Sequence, residues 1–134
     1  MPRRASTIGK TDKILNWLRT LKNASKTRVV LVEHKSDADM LAALGIKNIL
    51  WYLEPEYKLI DQLVGKECIL LFDVDRKSNS KCEKVKAVLE QNGIKVTTRF
   101  RKMLFTTEFK EVGGILAYLN KHIDTTPRKG LSFP

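Results

Sequence analysis

Cysteine is scarce in this chain, long apolar runs are missing, and no glycine pattern for a phosphate loop is present. Each shortage removes a class of protein. Two cysteines, Cys68 and Cys82, among 134 residues cannot complete a zinc site alone, and they suit a reducing cytoplasm better than a disulfide framework. No apolar run exceeds six residues, far short of the roughly 20 needed to span a bilayer, so no membrane partner is expected. The opening MPRRASTIGK carries basic residues without an apolar stretch behind them, so no secretory signal is expected. Gly113-Gly114 lacks the lysine and the spacing of a phosphate-binding loop. No internal repeat or low-complexity tract interrupts the chain.

Acidic residues are also in short supply: 15 stand against 25 lysines and arginines, a net charge of +10. The imbalance lies at the two ends. Residues 1–28 carry eight basic side chains and one acid, residues 95–134 carry eight and three, and the centre from 29 to 94 is mildly acidic with nine and eleven. Basic flanks around an acidic centre fit a nucleic-acid binder with an acidic metal site, and equally a lysine-rich surface with no such role. With 43% hydrophobic and 30% charged residues, the chain reads as one globular domain rather than a disordered one.

Four short apolar runs rich in β-branched residues predict strands: Arg28–Val32, Lys47–Leu53, Glu67–Phe72 and Ile94–Phe100. Their continuous apolar character suits strands covered on both faces. Helical spacing fills the intervals: Asp12–Asn23, Asp37–Leu44, Glu56–Val64, Ser80–Asn92 and Thr107–His122, the last weakened by its two glycines. Gly45, Gly65 and Gly93 stand where helix C-termini want a left-handed residue. Ser36 with Asp39, and Ser80 with Glu83, have capping-box spacing. Residues 1–9 and 125–134 lack periodicity and predict mobile arms. Alternating strands and helices imply right-handed crossovers. The expected fold is therefore an α/β class three-layer α/β/α sandwich around a four-stranded parallel sheet, a single domain over 1–134 with its core at about 28–100.

In such a sheet, ligands bind beyond the carboxyl ends of the strands, where strand order reverses. Two of the four predicted strands end in acids: Glu33-His34-Lys35-Ser36-Asp37 follows the first, and Asp73-Val74-Asp75-Arg76 follows the third. If those strands are neighbours, Glu33, Asp73 and Asp75 converge. Clustered carboxylates repel unless a cation neutralises them, and hard oxygen donors select Mg²⁺ or Mn²⁺. The plainer alternative is that Asp73 and Asp75 are turn residues at the positive end of the following helix dipole.

Leu31-Val32-Glu33-His34-Lys35-Ser36-Asp37 and Leu70-Leu71-Phe72-Asp73-Val74-Asp75-Arg76 are similar to the two motifs of the toprim domain, which occurs in topoisomerases, bacterial-type primases and several nucleases. In that family one hydrophobic strand ends in glutamate and a later one ends in Asp-x-Asp. The resemblance implies that Glu33 acts as general acid/base or metal ligand, and that Asp73 and Asp75 coordinate Mg²⁺. It implies that Asp37 matches the aspartate of the first motif and that Arg76 reaches a phosphate. His34 stands where many members have glycine, and Lys77-Ser78-Asn79 replaces a glycine-containing turn.

Asp73-Val74-Asp75 also resembles the haloacid dehalogenase signature, but Lys77 stands where that pattern wants threonine or valine. Lys35, Arg76, Lys77, Arg99, Arg101 and Lys102 are candidates to ring the acids and hold phosphates, with His34 and Asp37 in support. Trp51-Tyr52, Phe100, Phe105 and Phe109 are interleaved with basic residues, as in single-strand binders, although rings in small domains are mostly core. The expected function is a Mg²⁺- or Mn²⁺-dependent nuclease acting on RNA or DNA in the cytoplasm. The alternative is a non-catalytic nucleic-acid-binding module working with protein partners in RNA processing or repair.

Overall fold

The protein is described from a computed structural model, which covers the backbone of residues 2–104 and 112–123 and the side chains of 13–103 and 113–119. The elements run α1 (Pro2–Ala24), β1 (Arg28–Val32), α2 (Lys35–Ala43), β2 (Ile49–Trp51), α3 (Tyr57–Leu63), β3 (Glu67–Leu71), α4 (Arg76–Gln91), β4 (Lys95–Thr97), α5 (Arg99–Leu104) and α6 (Val112–Ile123). The four strands form one parallel sheet in the order β2-β1-β3-β4. The chain winds from β1 outward to β2 on one side, then crosses to β3 and β4 on the other. The reversal therefore falls between β1 and β3, which pair from Arg28↔Glu67 to Val32↔Leu71.

Alternation along the central strands divides the core into two. Val30, Val32, Ile69 and Leu71 pack on one face with α1, α2, α5 and α6, whereas Leu31, Cys68, Leu70 and Phe72 pack on the other with α3 and α4. The result is the three-layer sandwich expected from the sequence. Both central strands are buried on each face, and this is why they read as unbroken apolar runs rather than an alternating pattern. Trp17, from α1, is buried, and its Nε1 donates to the Phe100 carbonyl at 3.0 Å, tying α1 to α5. Gly45 and Gly93 follow α2 and α4 with φ of 100° and 79°, the left-handed turns their spacing predicted. Among the described residues no helix is long and apolar enough to cross a membrane.

Several boundaries depart from expectation. Residues 2–9, which lack helical periodicity in the sequence, are helical; α1 extends back to Pro2, because no proline interrupts the segment and a proline at the first helical position forfeits no hydrogen bond. The arm expected at 125–134, the start of the last predicted helix, Phe105 and Phe109 lie outside the described residues. Neither predicted capping box forms. α2 begins after His34, which makes no side-chain cap bond, and α4 begins a turn earlier than Ser80, capped by Asp75. The fourth strand covers only Lys95–Thr97. Its register pairs Thr97 with Ile69, so it stops two rungs short of the end of β3 at Leu71. The chain then turns into α5, whose Arg99 N–H donates to Thr97 Oγ1 at 3.2 Å. The strand expected to run to Phe100 gives way to α5 at Arg99, where Phe100 and Arg101 are both buried. A strand would send these adjacent side chains to opposite faces of the sheet.

Candidate metal and phosphate site

β1 and β3 end on the same rung, Val32 opposite Leu71. The next residues, Glu33 and the Phe72-Asp73 pair, therefore leave the sheet side by side at the reversal point. One ligand atom from each of Glu33, His34 and Asp73 lies within 4.8 Å of the others. Two carboxylates and an imidazole at that spacing form a cluster able to hold a metal ion.

Glu33 is held firmly. Its side chain is only 8% exposed. The Ser78 hydroxyl lies 2.9 Å from Oε1 and 3.2 Å from Oε2, and the Asp73 N–H donates to Oε1 over a longer 3.4 Å. Lys81 Nζ stands 3.9 Å from Oε2 and 4.2 Å from the centre of the Tyr52 ring. Tyr52 in turn meets Phe72 edge-on, with ring centres 6.2 Å apart. Burial, together with the negative charges of Glu56 and Glu54, pushes the Tyr52 hydroxyl up to about 12, so it is a hydrogen-bond donor and not a base at neutral pH.

The turn from β3 into α4 is pinned from below by Arg101. This side chain is 7% exposed. Its Nε donates to the Phe72 carbonyl at 3.0 Å, and its Nη2 donates to the Asp73 carbonyl at 2.6 Å and to Asn79 Oδ1. Asp75 caps α4, its Oδ1 accepting the Ser78 N–H at 2.8 Å. Ser78 thus links the two acidic motifs, with its amide on Asp75 and its hydroxyl on Glu33. Serine as the third helical residue after an N-cap aspartate is a spacing visible in the sequence. Its reach to Glu33 depends on β1 lying beside β3.

The remaining candidates divide by position. His34 is exposed, with φ −123° and ψ 147°, extended backbone open to any residue. Histidine therefore sits there without backbone strain, and its imidazole joins the cluster. Asp75 is exposed and serves as the cap; the three-residue cluster does not include it. Asp37 is buried in the first turn of α2, facing α6: a Cβ placed on Gly113 would come within 3.3 Å of its Oδ1. That close approach gives one reason for a glycine inside a helix.

Arg76 and Lys77 are exposed in the first turn of α4, beside the acids. Lys35 is exposed, 3.2 Å from Asp39 Oδ2 and 5.7 Å from the Trp51 ring centre. The three residues expected as a rim after the last strand do not form one. Arg101 is an internal structural residue, for the reason given above. Arg99 lines a cavity of about 200 Å³ with Arg28, Glu67 and Lys95, the first residues of β1, β3 and β4, because β4 ends too early to carry it to the carboxyl edge. Lys102 is exposed over a cleft between α4 and α5 lined by Asn79, Cys82 and Glu83. Both cysteines are buried and free. Burial pushes the Cys68 thiol up to about 12 and the Cys82 thiol in the same direction, so neither is a ready nucleophile.

No protein-family model matches the chain. It is 29% identical over 120 residues to the UPF0292 protein of the archaeon Methanocaldococcus jannaschii, an alignment that covers 84% of this chain and 94% of the archaeal one. A solved structure of a protein from Aquifex aeolicus superposes with a TM-score of 0.70 at 32% identity, covering 74% of this chain and 94% of that one. At that identity and coverage the chain belongs to the same family as the Aquifex aeolicus protein. These names carry no activity.

Proposed function

We propose that this chain is a toprim-type, metal-dependent phosphodiesterase acting on RNA or DNA. The observation that carries the reading is the convergence of Glu33, His34 and Asp73 within 4.8 Å at the strand reversal, the position where open parallel sheets bind ligands. The donor set fits a divalent ion: carboxylates suit Mg²⁺ and Mn²⁺, and the imidazole tilts the choice toward Mn²⁺. Glu33 and Asp73 would be its principal ligands. Asp75 has one carboxylate oxygen committed to its cap and would contribute through the other. When bound, the ion supplies polarisation of a phosphoryl oxygen and offsets the charge that develops during cleavage.

The chain's own residues prepare that chemistry. Ser78 and the Asp73 amide fix the Glu33 carboxylate in one orientation, and Arg101 fixes the backbone that carries Asp73. Arg76 and Lys77 place two positive charges at the positive end of the α4 dipole, an unfavourable arrangement that an anion relieves. A phosphate backbone is such an anion.

The test is cleavage of end-labelled single-stranded RNA and DNA with Mn²⁺ or Mg²⁺, with and without chelator, alongside calorimetric Mn²⁺ binding. Glu33→Gln is expected to abolish cleavage and weaken Mn²⁺ binding by about tenfold or more, since a charged ligand becomes neutral at nearly constant shape. Asp75→Asn keeps a residue that caps well and reads the contribution of its charge. Binding without cleavage under every metal condition would establish the non-catalytic module instead.

A further inference from the structure

Lys81 lies in no part of either acidic motif, yet its ammonium group stands beside the buried carboxylate of the site. Its placement is specific: 3.9 Å from Glu33 Oε2 on one side and 4.2 Å from the centre of the Tyr52 ring on another. The two contacts differ in kind. The carboxylate attracts the charge directly, and the ring attracts it through its quadrupole. Tyr52 is itself braced edge-on by Phe72 and donates its hydroxyl to Glu56 Oε2 at 3.3 Å, so the platform beneath the lysine is fixed at both ends. The side chain is 35% exposed where that of Glu33 is 8% exposed, which puts the ammonium at the mouth of the site and the carboxylate behind it. Helix α4 carries Lys81 on the turn after Ser78, and Ser78 bonds the same carboxylate.

Resting on the metal-site reading above, we infer that Lys81 is a phosphate-binding residue of this site, held ready over Tyr52 as the resident counter-cation of Glu33. A divalent ion and the ammonium compete for the same carboxylate charge. Once an ion takes that charge, attraction between Lys81 and Glu33 is offset, and the ammonium's donors turn to the remaining anion at the mouth, a phosphate oxygen of the bound strand. The tyrosine face keeps the lysine in place during this exchange.

The exchange predicts opposite effects of one substitution on two ligands. In Lys81→Gln, Mn²⁺ measured alone by calorimetry is expected to bind about threefold to tenfold more tightly, because a competing positive charge near Glu33 is gone. Binding of a single-stranded oligonucleotide, measured across a salt series with Ca²⁺ in place of Mn²⁺ to suppress cleavage, is expected to weaken. Its log–log salt slope should become shallower by roughly 0.7, the loss of one phosphate contact. Lys66→Gln, an exposed lysine just before β3 at the opposite edge of the sheet, is expected to leave Mn²⁺ affinity unchanged. Tyr52→Phe retains the ring face and should keep the parental slope, whereas Tyr52→Leu should lose part of it.

Parental Mn²⁺ affinity and parental slope in Lys81→Gln, in a protein whose Mn²⁺ binding does depend on Glu33, would overturn the role of Lys81 and leave the site reading intact. Tighter Mn²⁺ with an unchanged slope would reduce Lys81 to a counter-cation and overturn phosphate binding. A parent protein whose Mn²⁺ binding is indifferent to Glu33→Gln would overturn both readings together.

Discussion

Ser78 and Arg101 show how little the identity of a side chain says about its work until its neighbours are known. In the sequence Ser78 is only part of the turn that follows the second motif, and in the fold its hydroxyl orients Glu33. Arg101 stands in a run of basic residues that invites a surface role, yet it is buried, with its guanidinium spread over two backbone carbonyls and Asn79. Removing a buried donor strands its acceptors, at about 1–3 kcal/mol for each unsatisfied group. Arg101→Ala is therefore expected to lower unfolding stability by roughly 2–4 kcal/mol in urea denaturation, whereas exposed Lys102→Ala should change it by no more than about 0.5 kcal/mol. Equal, small effects in the two variants would show that the turn below Asp73 does not depend on Arg101.

At the scale of elements, β3 carries the most constrained chemistry. Its residues from Cys68 to Leu71 are fully buried, and it delivers Asp73 to the site. The buried Cys68 thiol, pushed up to about 12 from an ordinary 9, makes the strand sensitive to high pH in a definite direction. Below about pH 9 the thiol is neutral in folded and unfolded chains alike and titration has no effect. Above it the unfolded chain ionises while the folded chain resists, so stability falls as pH rises from about 9 toward about 12. Tyr52, also raised, adds a loss of the same sign at higher pH. Urea midpoints followed from pH 7 upward should decline past pH 9, and less steeply in Cys68→Ala. Identical pH profiles for parent and variant would place the sensitivity elsewhere. The capping of α4 by Asp75 belongs to this scale as well. A cap at the end of β3 starts the helix at Arg76, a turn before Ser80, and brings Ser78 and Lys81 round toward Glu33.

At the scale of the whole molecule, the distribution of charge takes a different shape from the one read along the chain. Among the described residues, the basic side chains of the two ends do not gather at the acids. Arg101 is internal and Arg99 faces the amino edge of the sheet with Arg28 and Lys95. Among the described residues, the cations beside the carboxylates come from the mildly acidic centre: Arg76, Lys77 and Lys81 on α4, and Lys35 on α2. If the site binds a phosphate backbone, its salt dependence should follow that group. Arg76→Gln with Lys77→Gln is expected to make the log–log slope for a single strand shallower by about 1.4, two contacts at roughly 0.7 each. Arg99→Gln should leave the slope as it is. The reverse result would move the binding face to the amino edge.

The alternation of strands and helices as far as β4, the helix-ending glycines, and the acids at the ends of β1 and β3 were legible from residues alone, whereas α5 was not. The legible features all depend on periodicity and spacing within about twenty residues, where local backbone preferences and the need to cover apolar faces act directly. The extent of β4 was not legible, because an edge strand's length is set by how far its neighbour pairs with it. Nor was the choice among polar residues. Glu33, His34 and Asp73 meet because β1 lies beside β3, a contact across forty residues of chain. Asp75 turns to its own helix because a cap was the nearer donor. Arg101, Ser78 and Lys81 acquire their partners only from packing of α4 and α5 against the sheet. Spacing determined which residues stood at strand ends, and only sheet order and helix packing, which act between distant segments, decided which of them share a site.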